Sequence, residues 1–336
     1  MKMRKKMLAV LLTAAMTMGL GGSTVMAAEA PETVKLNVAY MPNYAALWAV
    51  TTGMEKGYFE EQGIEITLYE FADGPTEIAA MDSGSIDIAY IGPGAHKLCI
   101  NGQATVFNLQ QIGDADCVIG LPSHGVEKLE DLKGKTVAYA SGTSSEMLLN
   151  TALASVDMTL EDITAMDMDP SNMVTAMVSG SVDACATWSP NSTQIINELP
   201  EAVKMCSNMT YADQKVDPAS WICKPDYAKE NHDILVRFNK ALFKAMDFGS
   251  DEANYEEVAG YVSKQCATDL DTALAQTGDG KWFNGEEIQT MIEDGTMENY
   301  YLTQQQGFIA TGDVEKEVPV SDYVDFSAMT DAADYK

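Results

Sequence analysis

Ala80-Met-Asp-Ser-Gly-Ser-Ile-Asp-Ile88 returns 96 residues later as Ala176-Met-Val-Ser-Gly-Ser-Val-Asp-Ala184. Upstream, Val38-Ala-Tyr40 returns as Val137-Ala-Tyr139, an offset of 99. Self-similarity of this kind marks a structural unit used twice. The order of elements between the anchors also matches, because each unit reads strand, helix, strand, helix, strand. In the first unit Lys35–Tyr40 and Ile64–Glu70 alternate as strands, and Ala45–Lys56 reads as a helix closed by Gly57. Pro75–Ser83 reads as a second helix ended by Gly84, and Ile86–Ile91 as a short apolar strand stopped by Gly92-Pro93. In the second unit the strands are Thr136–Ala140, Ile163–Met168 and Val182–Thr187, the helices Ser145–Ser155 and Asn172–Ser179, and the stop Ser189-Pro190.

Strands that alternate with helices build parallel sheets covered on both faces. The expected fold class is therefore α/β, with two lobes, each a mostly parallel sheet flanked by helices, and a cleft between them. Ligands of open α/β sheets bind beyond the carboxyl ends of the strands. Those loops are Met41–Tyr44, Ala72–Thr76 and Gly92–Ala95 in one lobe, and Ser141–Glu146, Asp169–Asn172 and Trp188–Asn191 in the other. His232–Phe248, Glu252–Cys266, Gly285–Gly295 and Asn299–Gln306 have helical spacing and, with the tail from Val318, are expected to pack on the first lobe. Chain crossings are expected near Cys117–Pro122 and Trp221–Pro225. That makes lobe 1 residues 33–118 plus 224–336, and lobe 2 residues 119–223.

Residues 1–28 read as a signal peptide. Lys2, Arg4, Lys5 and Lys6 precede the apolar stretch Met7–Leu20, and small residues follow up to a cut near Ala28. The apolar stretch is shorter than the roughly 20 residues a spanning helix needs. No cysteine occurs before Cys99, so a lipid-anchor cysteine is not expected, and the protein is expected to be exported. The 336 residues carry 50 acidic and 21 basic side chains, net −29. Charge of that sign argues against nucleic acid and against docking on anionic lipid, both of which need clustered Lys and Arg. Removing the signal's four cations leaves 17 basic side chains against 50 acidic, net −33. Arg237 is then the one arginine remaining, so an anion would have to be held by backbone N–H groups, hydroxyls and helix dipoles.

Catalytic and metal motifs are scarce. Six scattered cysteines show no Cys-x-x-Cys pair and no zinc spacing with His96, His124 and His232, and read as buried small residues. His96 and Cys99 lie one helical turn apart, but nothing in the sequence orients them as base and nucleophile. There is no Gly-x-Ser-x-Gly elbow, phosphate loop or dinucleotide fingerprint. No enzyme activity, cofactor or metal is expected. Ser141-Gly-Thr-Ser-Ser-Glu146 follows a strand and opens a helix, so it reads as an anion seat and equally as an N-cap. Asp73 and Thr76 could contact a ligand or cap their helix. Trp188 and Trp221 could wall a ligand or lie in a core. Trp48 reads as core.

Gly57-Tyr-Phe-Glu-Glu-Gln-Gly63, Phe71-x-x-Gly74-Pro75, Gly84-Ser-Ile-Asp87, Leu129-Glu-Asp-Leu-Lys-Gly-Lys-Thr-Val-Ala138, Gly180-Ser-Val-Asp-Ala184 and Pro319-Val-Ser-Asp-Tyr-Val-Asp325 carry a family resemblance from about Lys35 onward. The chain resembles extracytoplasmic solute-binding proteins of ABC importers, in the branch for aliphatic sulfonates, taurine, nitrate and thiamine-precursor pyrimidines. The resemblance implies a two-lobed trap of the type II periplasmic-binding-protein fold. It also implies a small-molecule ligand, a membrane permease with its ATPase as partner, and a monomer. Carried over residue by residue, it implies contacts from Asn43, Asp73, Gly74, Thr76, Gly92, Thr143, Ser144, Trp188 and Trp221, to which the same loops add Ser141 and Ser189. Relatives place an acid for taurine's ammonium where this chain has Ser189, Ala219 and Ser220, with Asp217 the nearest substitute. That departure favours a sulfonate lacking an amine, or an uncharged heterocycle; nitrate and bicarbonate stay open, and an enzyme on the same fold is the runner-up class.

Overall fold

A computed structural model describes residues 32–336, so the expected signal peptide lies outside the described residues. The strands are β1 (Val34–Tyr40), β2 (Ile64–Glu70), β3 (Ile88–Ile91), β4 (Thr105–Gly113), β5 (Asp116–Gly120), β6 (Thr136–Tyr139), β7 (Thr164–Asp167), β8 (Ala184–Trp188), β9 (Val203–Ser207), β10 (Pro218–Cys223) and β11 (Gly280–Trp282). They form two sheets, in the orders β11-β4-β10-β3-β1-β2 and β7-β6-β8-β5-β9. In each sheet the three strands of the repeat pair in parallel, β2-β1-β3 and β7-β6-β8. The remaining pairings are antiparallel, so both sheets are mixed.

Strand directions place both chain crossings at one end. The carboxyl ends of β3 and β8 face the cleft. β10 runs antiparallel to β3, and β4 antiparallel to β10, so β4 ends at the cleft and β10 begins there. By the same reasoning β5 begins and β9 ends at the cleft. The chain therefore crosses between Gly113 and Asp116 and returns between Ser207 and Pro218. Both crossings fall a few residues before the expected ones: β5 belongs to the second sheet, and β10, with Trp221, to the first. The crossing segments are tied together. Asn208 accepts from the Asp116 N–H at 2.8 Å and donates to Asp217 at 2.8 Å, and the Gly113 N–H donates to the Asp217 carbonyl at 2.8 Å.

The repeated Gly-Ser-(Ile/Val)-Asp motif has a structural explanation. Gly84 and Gly180 end their helices with φ of +79° and +68°, a conformation that costs glycine nothing. Three residues on, the aspartate turns back to the first strand of its unit. Asp87 accepts from the Asn37 N–H at 2.8 Å, and Asp183 from the Thr136 N–H at 2.8 Å. Each motif thus joins the exit of a helix to the start of a strand. Asp87→Ala leaves a backbone donor without its charged acceptor and should cost about 1–3 kcal/mol, read as a lowered denaturant midpoint.

Lobe 1 has the larger core, built around the fully buried Trp48, Trp221, Phe107 and Phe238 and closed by helices His232–Gly249, Tyr255–Cys266 and Thr296–Thr311. In lobe 2, Val118, Val137, Leu148, Leu149 and Leu153 pack between the sheet and helix Ser144–Ala154. All six cysteines are free thiols; five are buried and Cys266 is half-buried. No helix among the described residues is long and apolar enough to cross a membrane.

Candidate functional site

A narrow cleft lies between the lobes at the carboxyl ends of the repeat strands. Of the residues expected at the site, the structure brings Asn43, Gly74, Gly92, Thr143, Ser144 and Trp188 to its lining. Three of them have local structural duties as well. Asn43 caps helix Tyr44–Glu55 by accepting from the Ala46 N–H at 2.8 Å. Thr143 caps helix Ser144–Ala154, and its hydroxyl donates to the Ala140 carbonyl at 2.7 Å. Gly74 sits where a Cβ would stand 2.9 Å from the Ala95 side chain, so its helix can start close under the neighbouring loop only without a side chain. Trp188 ends β8 and also borders the adjoining hollow toward Phe71 and Pro170, so it stands at the mouth.

The other five expected residues are elsewhere. Trp221 is wholly buried in the lobe 1 core, its Nε1 donating to Gln110 at 2.7 Å and its ring against Tyr90 and Phe238. It lies on a central strand, and this residue of β10 faces the helices, not the cleft. Asp73 and Thr76 cap their helix, with the Thr76 N–H donating to Asp73 at 2.9 Å. Ser141 is exposed outside the cleft lining, its N–H donating to Asp167 at 2.9 Å. Ser189 is buried beside Ser192 at 3.3 Å. Asp217, the expected substitute acid, is held in the crossing segment by Lys215 at 3.1 Å and by Asn208.

Two carboxylates that the sequence did not single out line the cleft, Asp116 and Asp279. Asp116 opens β5 and is buried, and the Ser144 hydroxyl donates to its Oδ1 at 2.7 Å. Burial pushes its carboxyl up to about 7, against the opposing pull of Ser144. Burial likewise raises Asp279 to about 6, countered by the Ser189 hydroxyl. The lining contains no Lys, Arg or His. Asp114-Ala-Asp116 before an apolar run was the available signal for Asp116; Gly278-Asp-Gly280 reads only as a turn.

The lobes meet beside the cleft. A Cβ on Gly94 of lobe 1 would lie 2.0 Å from the Thr143 carbonyl carbon and 2.3 Å from the Ser144 nitrogen of lobe 2. Lys97 of lobe 1 reaches Glu146 of lobe 2 at 3.1 Å and Asp313 of its own lobe at 2.8 Å. This pair is mostly shielded from solvent, so it resists salt better than a surface bridge. Lys97→Met should loosen the contact between the lobes while leaving the fold intact, measured as a larger radius of gyration in X-ray scattering beside unchanged circular dichroism.

His96 is buried, with Nδ1 3.2 Å from the Pro93 carbonyl and Nε2 2.9 Å from the Ser220 hydroxyl. Burial lowers its pKa to about 4, so the ring is neutral at pH 7. Burial raises the Cys99 thiol, which keeps it protonated. The two residues are core, and neither lines the cleft. Among the described residues no group of three His, Cys, Asp or Glu side chains could hold a metal ion.

Two α/β lobes joined by two crossing segments, with a cleft at the carboxyl ends of their strands, define a protein of the periplasmic-binding-protein fold. Residues 45–252 match the family described as NMT1/THI5 like, and the chain belongs to that family. It is 29% identical over 292 residues to a Brucella abortus protein named as a binding protein, covering 87% of this chain and 90% of that one. It is 25% identical over 281 residues to a Bacillus subtilis protein named for aliphatic sulfonates binding, covering 81% and 80%. Among solved structures, the alkanesulfonate-binding protein SsuA from Xanthomonas axonopodis pv. citri, bound to MOPS, superposes with a TM-score of 0.66 at 20% identity, over 88% of this chain and 99% of that one. The desulfurization enzyme DSZB shares the fold at 10% identity, with a TM-score of 0.61 over 89% and 98%.

Proposed function

We propose that the chain is the extracytoplasmic substrate-binding component of an ABC importer. It captures a small organic solute as the lobes close and delivers it, unchanged, to the membrane permease, acting as a monomer. The observation that carries this reading is the cleft lined from both lobes, with lobe 1 pressed on lobe 2 at Gly94. The sulfonate-binding names of relatives and structural neighbours support it, as does a relative named as a taurine-binding periplasmic protein. The basic-then-apolar amino terminus supports export. A binding role without catalysis is supported by the neutral, buried state of His96 and Cys99. The DSZB likeness shows the fold alone, so the same solute is to be recovered chemically intact after incubation.

The test is a panel of alkanesulfonates, taurine, nitrate, bicarbonate, aminopyrimidines and small amines. A solute at 100 times its dissociation constant stabilises by about 2.7 kcal/mol, visible as a rise in Tm of several degrees. Trp188 supplies a second readout. It is the one tryptophan at the cleft lining, while Trp48, Trp221 and Trp282 are buried in lobe 1. Solute should therefore change the tryptophan emission, and Trp188→Phe should remove that change. A panel, extended to solutes extracted from the producing cells, that moves neither Tm nor emission would overturn the binding reading.

A further inference from the structure

We propose that Asp116 selects the solute: the cleft takes a small molecule that presents a cationic nitrogen or paired N–H donors to this carboxylate, and disfavours a sulfonate or other anion. The inference rests on the solute-binding reading and names the ligand chemistry of the same cleft.

The hydroxyls expected to seat an anion at the start of helix Ser144–Ala154 are engaged by the protein's own groups. The Ser144 hydroxyl donates to Asp116. The Thr143 hydroxyl donates to the Ala140 carbonyl, and its oxygen accepts from the Ser145 N–H at 3.2 Å. In the first turn Glu146 already accepts from the Gly142 N–H at 2.8 Å, as well as from Lys97. The dipole of this helix thus faces a resident carboxylate. Above about pH 7, where Asp116 is ionised, a sulfonate brought to the same place would meet a like charge in a shielded setting, where repulsion is strong.

The surrounding charges do not reverse that sign. Asp279 brings a second carboxylate to the lining from lobe 1. The cations that act on Asp116 and Asp279 are Lys215 and Lys204, respectively. Neither lines the cleft, and Lys215 is bound to Asp217. Tyr90 adds a hydroxyl that accepts from Gln111 at 2.7 Å, and Trp188 adds an aromatic face suited to a flat or cationic group. A carboxylate left in a cleft without a cation is matched by a ligand that supplies the missing donors.

The experiment compares two probes of equal ring size, benzamidinium and benzenesulfonate, by calorimetric titration at low salt above pH 8, where Asp116 is ionised. Benzamidinium should bind the unaltered protein more tightly, by tenfold or more. Asp116→Asn should reduce its affinity at least tenfold and at the same time raise that of benzenesulfonate, a crossing that a merely structural role would not produce. Circular dichroism and Tm establish that the variant is folded, and Asp279→Asn provides an independent variant with a smaller effect of the same sign. Tighter binding of benzenesulfonate, unchanged benzamidinium binding in Asp116→Asn, or binding of neither probe at millimolar concentration each overturns the inference. None of these outcomes touches the solute-binding reading, which stands or falls on the panel and on lobe closure.

Discussion

Gly94→Ala should hold the two lobes apart and weaken solute capture by about 10- to 100-fold, equivalent to about 1.4–2.7 kcal/mol. The reason is purely one of space. A methyl group at this position would sit 2.0 Å from the Thr143 carbonyl carbon, 2.2 Å from its oxygen and 2.3 Å from the Ser144 nitrogen. These are backbone atoms at a capped helix start, and they cannot swing aside as a side chain can. Gly94 is not among the glycines with positive φ, so alanine suits the local backbone of lobe 1. The strain therefore falls on the contact between lobes, which relaxes by opening at the crossing segments. Overpacking of this kind costs about 1–3 kcal/mol. Gly260→Ala, on helix Tyr255–Cys266 away from the cleft, is the control, because a Cβ there meets nothing within 4 Å. X-ray scattering should show a larger radius of gyration for Gly94→Ala than for Gly260→Ala, with similar circular dichroism. Equal radii and equal solute affinity for the two variants would mean that the approach of these loops is not what closes the cleft.

The parts of this molecule that were legible in its sequence are those with a period. Each repeat carries three strands, two helices and a glycine at a helix exit, and these elements lie within one or two residues of the expected bounds. The crossing strands were not legible. β4, β5 and β10 are buried on both faces because each lies inside a sheet and under helices, β4 even with Asn108, Gln110 and Gln111 among its residues, so they lack the alternation that marks a half-buried strand. Missing β5 and β10 displaced the lobe boundaries and put Trp221 in the cleft, when its strand belongs to the lobe 1 core. Asp116 was missed for a related reason. Its importance comes from the Ser144 hydroxyl 28 positions away and from the burial that the crossing imposes, and neither leaves a mark in local sequence. The hydroxyl-rich Thr143-Ser-Ser145 was correctly placed at a helix start beside the cleft, but its hydroxyls serve the cap and Asp116. Composition shows which donors exist; only the fold shows which are already engaged.

The largest effect on stability should come from Glu77, in the helix Gly74–Asp82 beside the cleft. Its side chain is wholly buried and neither carboxyl oxygen has a hydrogen-bond partner. Burial first, and then the neighbouring Asp73, raise its pKa well above the usual carboxylate range, so the folded protein keeps the proton. In the unfolded chain the same group ionises near pH 4.5. Between that pH and its folded pKa, the folded state binds a proton that the unfolded state releases, so stability falls as pH rises. Each pH unit in that window costs at most about 1.4 kcal/mol. Asp116 and Asp279 add the same sign, over windows that end near pH 7 and pH 6. Glu77→Met keeps the volume and removes the proton. It should raise stability at pH 8 and by far less at pH 5, the gain growing with pH by at most about 1.4 kcal/mol per unit. Asp116→Asn should instead flatten the pH profile only below about pH 7. Chemical denaturation of the three proteins across pH 5–8 distinguishes these shares. A Glu77→Met gain of the same size at both ends would show that this carboxyl titrates alike in the folded and unfolded chain, and that burial does not hold its proton.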